Sequence, residues 1–282
     1  MSCELVCTGW YSSGVPRSYV TFGDEEVRSN AFRPLWWQSL ENFVNPQQVL
    51  VVDSASPIKP NDEYYTTTKI KTIELLKNPG HSQNCTTHYC GYMASVIVGL
   101  EFALLNDVDY FLYIEQDALI YGKGFLEGIK KSLLKSDYVF GNGGGNEIEQ
   151  SVFALSKNGI RKFLSALHSI EITDKLVSPE LKFMYAASCL SGFPFIHLLA
   201  WDQPRLIKRP SMKLFFKVIP LFRKYGTLPF GYGRVRPINF TDEIFYFQQG
   251  SREEIDAYRL LTGFNLTQLN IAPQSTQNSV IE

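Results

Sequence analysis

Short apolar runs alternate with segments of helical spacing through about the first 170 residues, and few architectures satisfy that alternation. Glu4 to Thr8, Val49 to Val52, Tyr110 to Ile114, Tyr138 to Phe140 and Ser151 to Leu155 read as strands. Uninterrupted apolar strands belong in sheets covered on both faces. Between them, Leu35, Trp36, Leu40 and Phe43 recur at helical intervals behind Pro34. Met93, Val96, Ile97, Leu100 and Leu104 follow the i, i+3, i+4, i+7 rule. Further helices are predicted around Phe125, Ile129 and Leu133, and from Ile160 to Leu167. The pattern predicts an α/β fold with a mostly parallel sheet and helices on both faces. From Ser178 to Gly233 the periodicity fades, and seven prolines between Pro179 and Pro237 predict an irregular region. Ser251 and Glu254 form a capping box that opens a last helix. The polar tail after Asn270 is expected to fray.

With 282 residues, 45% hydrophobic and 20% charged, the chain has enough apolar material for one large domain, which excludes general disorder. Lys and Arg number 27 against 28 Asp and Glu. That balance gives no overall attraction to nucleic acid or an anionic membrane. The five cysteines (Cys3, Cys7, Cys85, Cys90 and Cys189) contain no C-x-x-C pair. Neither a disulfide framework nor a zinc site follows. The N-terminus reads as a first strand rather than a signal peptide, so a cytoplasmic location is expected. The uncharged run Phe183 to Trp201 contains Ser188, Ser191, Gly192, Pro194 and His197, which predicts a buried segment and no transmembrane span. The sequons at Asn84, Asn239 and Asn265 are then chance matches.

In open parallel sheets, ligands bind at the carboxyl ends of strands. Asp53 ends the second predicted strand, and Glu115-Gln116-Asp117 ends the strand from Tyr110. Two carboxylates one residue apart point to the same side, with Gln116 facing the other way. Such a pair can hold a hard divalent cation, which in turn holds a diphosphate. An exposed acidic turn that caps the next helix is the bland alternative.

These features, in this order, resemble the nucleotide-sugar-dependent glycosyltransferases of the GT-A fold, whose metal motif is Asp-x-Asp or a variant. The resemblance spans Glu4 to Leu167. It rests on the first strand ending in Thr8 and Gly9, on Val49-Leu-Val-Val-Asp-Ser, on the Asn78-Pro-Gly-His loop before the long helix, and on Glu115 and Asp117. It implies that residues 1–170 bind a nucleoside diphosphate sugar, with a uridine nucleotide favoured. Residues 171–282 would then bind a glycan or sugar acceptor and close over the site. Asp53 would contact base or ribose. Thr8, Gly9, Tyr11 and Gln116 would line the donor, with Tyr11 and Trp10 either stacking on the base or packing. Asp117 would hold Mn2+ or Mg2+. Glu115 stands where the family has Asp, and its longer side chain would reach the metal, a metal-bound water or ribose.

The remaining candidates each have two readings. Gly143, Gly144 and Gly145 would shape the pocket floor or form a flexible turn. Arg234 and Arg236, at period two, would clamp the diphosphate or sit in surface ion pairs. Asp202, Asp242 and Glu243 are candidates for the base that takes the acceptor proton, with Glu147, Glu149 and Glu180 behind them. Trp201 would stack on a sugar or belong to the core, and His197 would reach the metal or be a core histidine; His81, His88 and His168 carry weaker signals. Two competing functions stay open. One is a sugar-phosphate nucleotidyltransferase, although Thr8 to Arg17 poorly matches the Gly-rich basic signature of that class. The other is a non-catalytic glycan-binding protein on the same fold.

Overall fold

The computed structural model describes residues 4–14, 23–61, 68–142, 148–191 and 194–264. In chain order the strands are β1 (Glu4–Trp10), β2 (Gln48–Asp53), β3 (Ile70–Glu74), β4 (Tyr110–Ile114), β5 (Ala118–Tyr121), β6 (Tyr138–Gly141), β7 (Glu149–Ser156), β8 (Tyr225–Thr227) and β9 (Phe245–Gln248). The helices are α1 (Arg33–Phe43), α2 (Gly91–Leu105), α3 (Phe125–Leu133), α4 (Lys157–His168), α5 (Pro179–Ala186), α6 (Arg205–Phe222) and α7 (Arg252–Thr262). Seven strands form the main sheet in the order β3-β2-β1-β4-β7-β6-β8, and β5 pairs with β9 in a separate antiparallel ribbon. In the main sheet only β7 runs against its neighbours.

Each central strand is buried on both faces, which is why its sequence reads as an unbroken apolar run. Leu5, Cys7, Leu50, Val52, Phe111 and Tyr113 pack with α2, α4 and α5. Their strand neighbours Val6, Val49, Val51, Leu112 and Ile114 pack on the other side with α1, α3, α7 and the ribbon. The fold class is therefore the expected mostly parallel α/β sheet with helices on both faces.

The expectation of an irregular stretch from Ser178 to Gly233 is corrected, because α5 and α6 lie within it. Pro179 sits in the first turn of α5, where its missing N–H costs nothing. Pro210 and Pro220 lie inside α6 on its exposed side, where water can satisfy the carbonyls they orphan. The Phe183–Trp201 run is likewise only partly buried: His197 is exposed in a 3-10 helix, Pro194–Leu199, so it is not a core histidine. No helix among the described residues is long and apolar enough to cross a membrane. The capping box of Ser251 and Glu254 forms as expected.

Gly122 closes the turn that leads out of β5. Its φ is +106°, and a Cβ there would stand 2.2 Å from the Glu243 carbonyl oxygen. Gly122→Ala is expected to destabilise the fold by more than about 1 kcal/mol, read as a lower urea midpoint at unchanged slope.

Candidate functional site

The chain passes from β1 to β2 and β3 on one side, then returns to place β4 on the other. The carboxyl ends of β1 and β4 therefore flank a topological switch point, where open α/β sheets leave a crevice. The Glu115 backbone is fixed there from three directions. Its N–H donates to the Ser151 carbonyl at 2.8 Å, and its own carbonyl accepts from Ala118 N at 3.0 Å. The Trp36 indole of α1 donates to the same carbonyl at 3.0 Å. This anchoring aims the Glu115 and Asp117 side chains together.

Gln248 completes the group. It ends β9 directly opposite Ala118. Its Nε2 donates to Glu115 Oε2 and, at 3.2 Å, to Asp117 Oδ1. Its Oε1 is buried with no hydrogen-bond partner. Asp117 is buried, and its Oδ2 pairs with Arg28 Nη2 at 3.2 Å. Arg28 Nη1 is also buried without a partner. Burial first, then the neighbouring Asp117 carboxylate, hold the Glu115 carboxyl well above the usual range, while Arg234 acts in the opposite direction. Among the described residues no three His, Cys, Asp or Glu side chains form a metal-binding group. The two carboxylates nevertheless make a hard-oxygen pair, and turning over the Gln248 amide would bring its orphaned oxygen to them. Mg2+-like ions need no more from a protein when substrate phosphates supply the rest.

A cavity of about 440 Å³ adjoins this cluster, lined by Tyr11, Ser13, Glu25, Arg28, Asn30 and Ile58 among others. That volume lies in the range of small-ligand sites. Gln116 faces away from the carboxylates, as expected. Its amide accepts from Tyr11 N at 3.2 Å and donates to Tyr11 O at 3.3 Å, which fixes the cavity wall. On the far side of Glu115, antiparallel β7 brings in Glu149, and α5 brings in Glu180, which accepts from Gln150 Nε2 at 2.7 Å. The Tyr92 hydroxyl, raised well above its usual pKa by burial first, is raised further by Tyr113, Glu115, Glu180 and Glu149, which all surround it.

Other expected residues fall elsewhere. Thr8 is fully buried, so it lines no cavity. Gly9 answers to packing: its N–H donates to Tyr113 Oη, and a Cβ would lie 2.7 Å from Ser95 Oγ. Trp10 is core, donating to Ile58 O, whereas Tyr11 is open to the cavity. Asp53 is buried; it accepts from Ser56 N at 3.0 Å and pairs with Lys59 at 3.0 Å, so these partners compete with any base or ribose. Arg236 is corrected from a diphosphate clamp to a structural residue. Its guanidinium donates to the Gly233, Val235, Gln248 and Gln249 carbonyls and pairs with Glu254 at 2.6 Å. Both arginines are exposed, but Arg236 is held by these carbonyls and Glu254, whereas Arg234 is close enough to act on Glu115.

Asp242 and Glu243 are corrected as base candidates. They precede β9 while Gln248 ends it, so the length of this four-residue strand, roughly 10 Å, separates them from the cluster. Asp242 is also taken up by Tyr232 and Asn239. Trp201 and Asp202 lie in an exposed turn before α6, where Lys208 stands 3.0 Å from the Trp201 ring centroid, so Trp201 is not core. Gly143, Gly144, Gly145 and Glu147 lie outside the described residues. His81 caps a 3-10 helix, Ser82–Asn84; His88 bonds the Ile170 carbonyl; and His168 pairs with Glu101.

Sequence reasoning missed Gln248, Arg28 and the cavity residues Glu25 and Asn30. No motif announces them; they reach the site through the β5–β9 ribbon and the short 3-10 helix Glu25–Arg28.

No protein-family model matches the chain, and no curated protein matches it by sequence. Among solved structures it is similar to S. aureus TarS in complex with UDP, with 15% identity over 93% of this chain and 64% of that one and a TM-score of 0.44. It is also similar to a mannosyltransferase from Pyrobaculum calidifontis in complex with GDP-Man and Mn2+, at 13% identity, 94% and 62% coverage and a TM-score of 0.45. A third is 4-diphosphocytidyl-2C-methyl-D-erythritol synthase from Anaerococcus prevotii, at 12% identity, 65% and 81% coverage and a TM-score of 0.41. The chain thus spans less than two thirds of the length of each of the first two. Its own sheet order, with one reversed strand and the acidic turn at the switch point, makes the fold GT-A-like.

Proposed function

We propose that the chain is a glycosyltransferase that moves a sugar from a nucleoside diphosphate sugar, with a uridine nucleotide favoured, to a hydroxyl of a sugar or glycan. The observation that carries this reading is the convergence of Glu115, Asp117 and Gln248 at the switch point, beside a nucleoside-sized cavity. Glu115 and Asp117, joined by the Gln248 oxygen once its amide turns over, would hold Mn2+ or Mg2+, which supplies charge neutralisation for the departing nucleoside diphosphate. Tyr11 and Ile58 would enclose the base. Arg28 and Arg234 would meet phosphate oxygens. Glu149 or Glu180, on the side of Glu115 away from the ribbon, would take the acceptor proton.

Incubation with UDP- and GDP-sugars, sugar acceptors and Mn2+ tests the reaction class. Release of nucleoside diphosphate together with a glycosylated acceptor is expected. Pyrophosphate release from a nucleoside triphosphate and a sugar phosphate would instead identify a nucleotidyltransferase. Glycan binding with neither reaction would identify a binding protein.

Arg28 competes with a cation for Asp117 and also faces the cavity. Arg28→Gln is therefore expected to tighten Mn2+ binding in the absence of nucleotide. It should weaken nucleoside diphosphate binding by about 1.5–3 kcal/mol, the worth of a charge-assisted hydrogen bond. Titration calorimetry with Mn2+ alone, and with nucleoside diphosphate in saturating Mn2+, measures both, and two unchanged affinities would contradict the role.

A further inference from the structure

The chain carries nearly balanced charge overall, but its cations are not evenly spread. From Gln203 to Thr241 there are nine Lys and Arg and no Asp or Glu. Five of the nine, Arg205, Lys208, Arg209, Lys213 and Lys217, lie on α6. One side of this helix is sealed against the protein by Ser211, Phe215 and Ile219, at four-residue spacing. The opposite side carries two parallel rows. Leu206, Pro210 and Leu214 form one, extended toward Leu221; Arg209, Lys213 and Lys217 form the other. The apolar row is not tucked away: Leu206 is 89% exposed, Leu214 50% and Leu221 78%. Trp201 at 64% exposure and Phe222 at 42% extend it at the two ends of the helix.

We infer that α6 is a membrane-surface helix that lays its outer face on an anionic lipid bilayer. A water-facing helix gains nothing from exposing three leucines, and a helix docking an ordinary protein surface has no need of five cations without one acid. An interface of anionic headgroups over acyl chains matches both rows at once, taking the leucines into the headgroup–acyl boundary and the ammonium and guanidinium groups among the phosphates. The two helix prolines agree with this placement, since the stripe they interrupt faces headgroups and water rather than a protein core. The inference is independent of the glycosyltransferase reading, because α6 contributes none of the residues grouped around Glu115 and Asp117.

The test is co-sedimentation of the whole chain with phosphatidylcholine vesicles, with and without phosphatidylglycerol, at low and high salt. Binding is expected to the phosphatidylglycerol vesicles and to weaken as salt screens it. Lys213→Glu with Lys217→Glu should weaken binding by about tenfold or more, since each cation near such a surface is worth about fivefold. Leu206→Ser with Leu214→Ser should weaken it while leaving the salt dependence in place. All four side chains are exposed, so circular dichroism should show the native fold in both variants. Absence of binding to anionic vesicles at low salt would overturn the inference. So would concentration-dependent self-association that both variants abolish, because the face would then be an interface between copies of the chain.

Discussion

Asp117→Asn is expected to abolish Mn2+-dependent binding of nucleoside diphosphate and to lower turnover on the order of 10²–10³-fold, about 2.7–4 kcal/mol of transition-state stabilisation. The substitution keeps the side-chain shape and the contact with Gln248 Nε2, so the loss reflects charge rather than packing. It has a second consequence. Arg28 loses the carboxylate that balances it in a setting where its side chain is only 11% exposed. An uncompensated buried charge is costly, so the single variant should also be less stable. Arg28→Gln combined with Asp117→Asn removes both charges and should recover much of that stability without recovering metal-dependent binding. A single variant that keeps Mn2+-dependent binding of nucleoside diphosphate at wild-type affinity would remove Asp117 from the site.

The largest effect on stability is expected away from the site, at Lys182. Its side chain is 1% exposed and pairs with fully buried Asp174 at 2.6 Å; Nζ also donates to the Ile172 carbonyl. The second oxygen of Asp174 accepts from Cys90 N at 2.7 Å, at the start of α2. One ion pair thus ties α5 to the amino end of the helix that covers β1 and β4. Lys182→Met fills most of the volume but strands the carboxylate, and is expected to cost about 3–5 kcal/mol. Urea unfolding measures this directly. The folded fraction of the variant should still bind nucleotide, because the pair touches none of the site residues. A cost below about 1 kcal/mol would mean that water or a neighbouring group compensates Asp174.

The sheet was legible in the sequence because burial on both faces writes strands such as Val49 to Val52 and Tyr110 to Ile114 as unbroken apolar runs. The acidic turn was legible because two acids directly follow the apolar run Tyr110 to Ile114, although the turn closed by Ala118 N on the Glu115 carbonyl, and not strand periodicity, brings Glu115 and Asp117 together. The helix α6 was not, since Pro210 and Pro220 are breaking signals in sequence and become harmless only on an exposed face. Gln248 was not, because an amide at the end of a four-residue strand acquires meaning only through the register that sets it opposite Ala118. Arg234 and Arg236 looked equivalent at period two. The chain turn at Gly233 and Arg234 separates them, sending one to the carbonyls around Gln248 and leaving the other in solvent. Asp242 and Glu243 misled for a related reason, as proximity in sequence to β9 says nothing about which end of the strand meets the site.

The central claim is that Glu115, Asp117 and Gln248 make nucleotide binding depend on a divalent cation. Titration calorimetry of the whole chain with UDP and with GDP, in Mn2+ and in EDTA, tests it most directly. Saturable binding of at least one of the two is expected in Mn2+, with loss of that binding in EDTA. Binding of equal affinity in both buffers, or binding in neither by a folded protein, would contradict it.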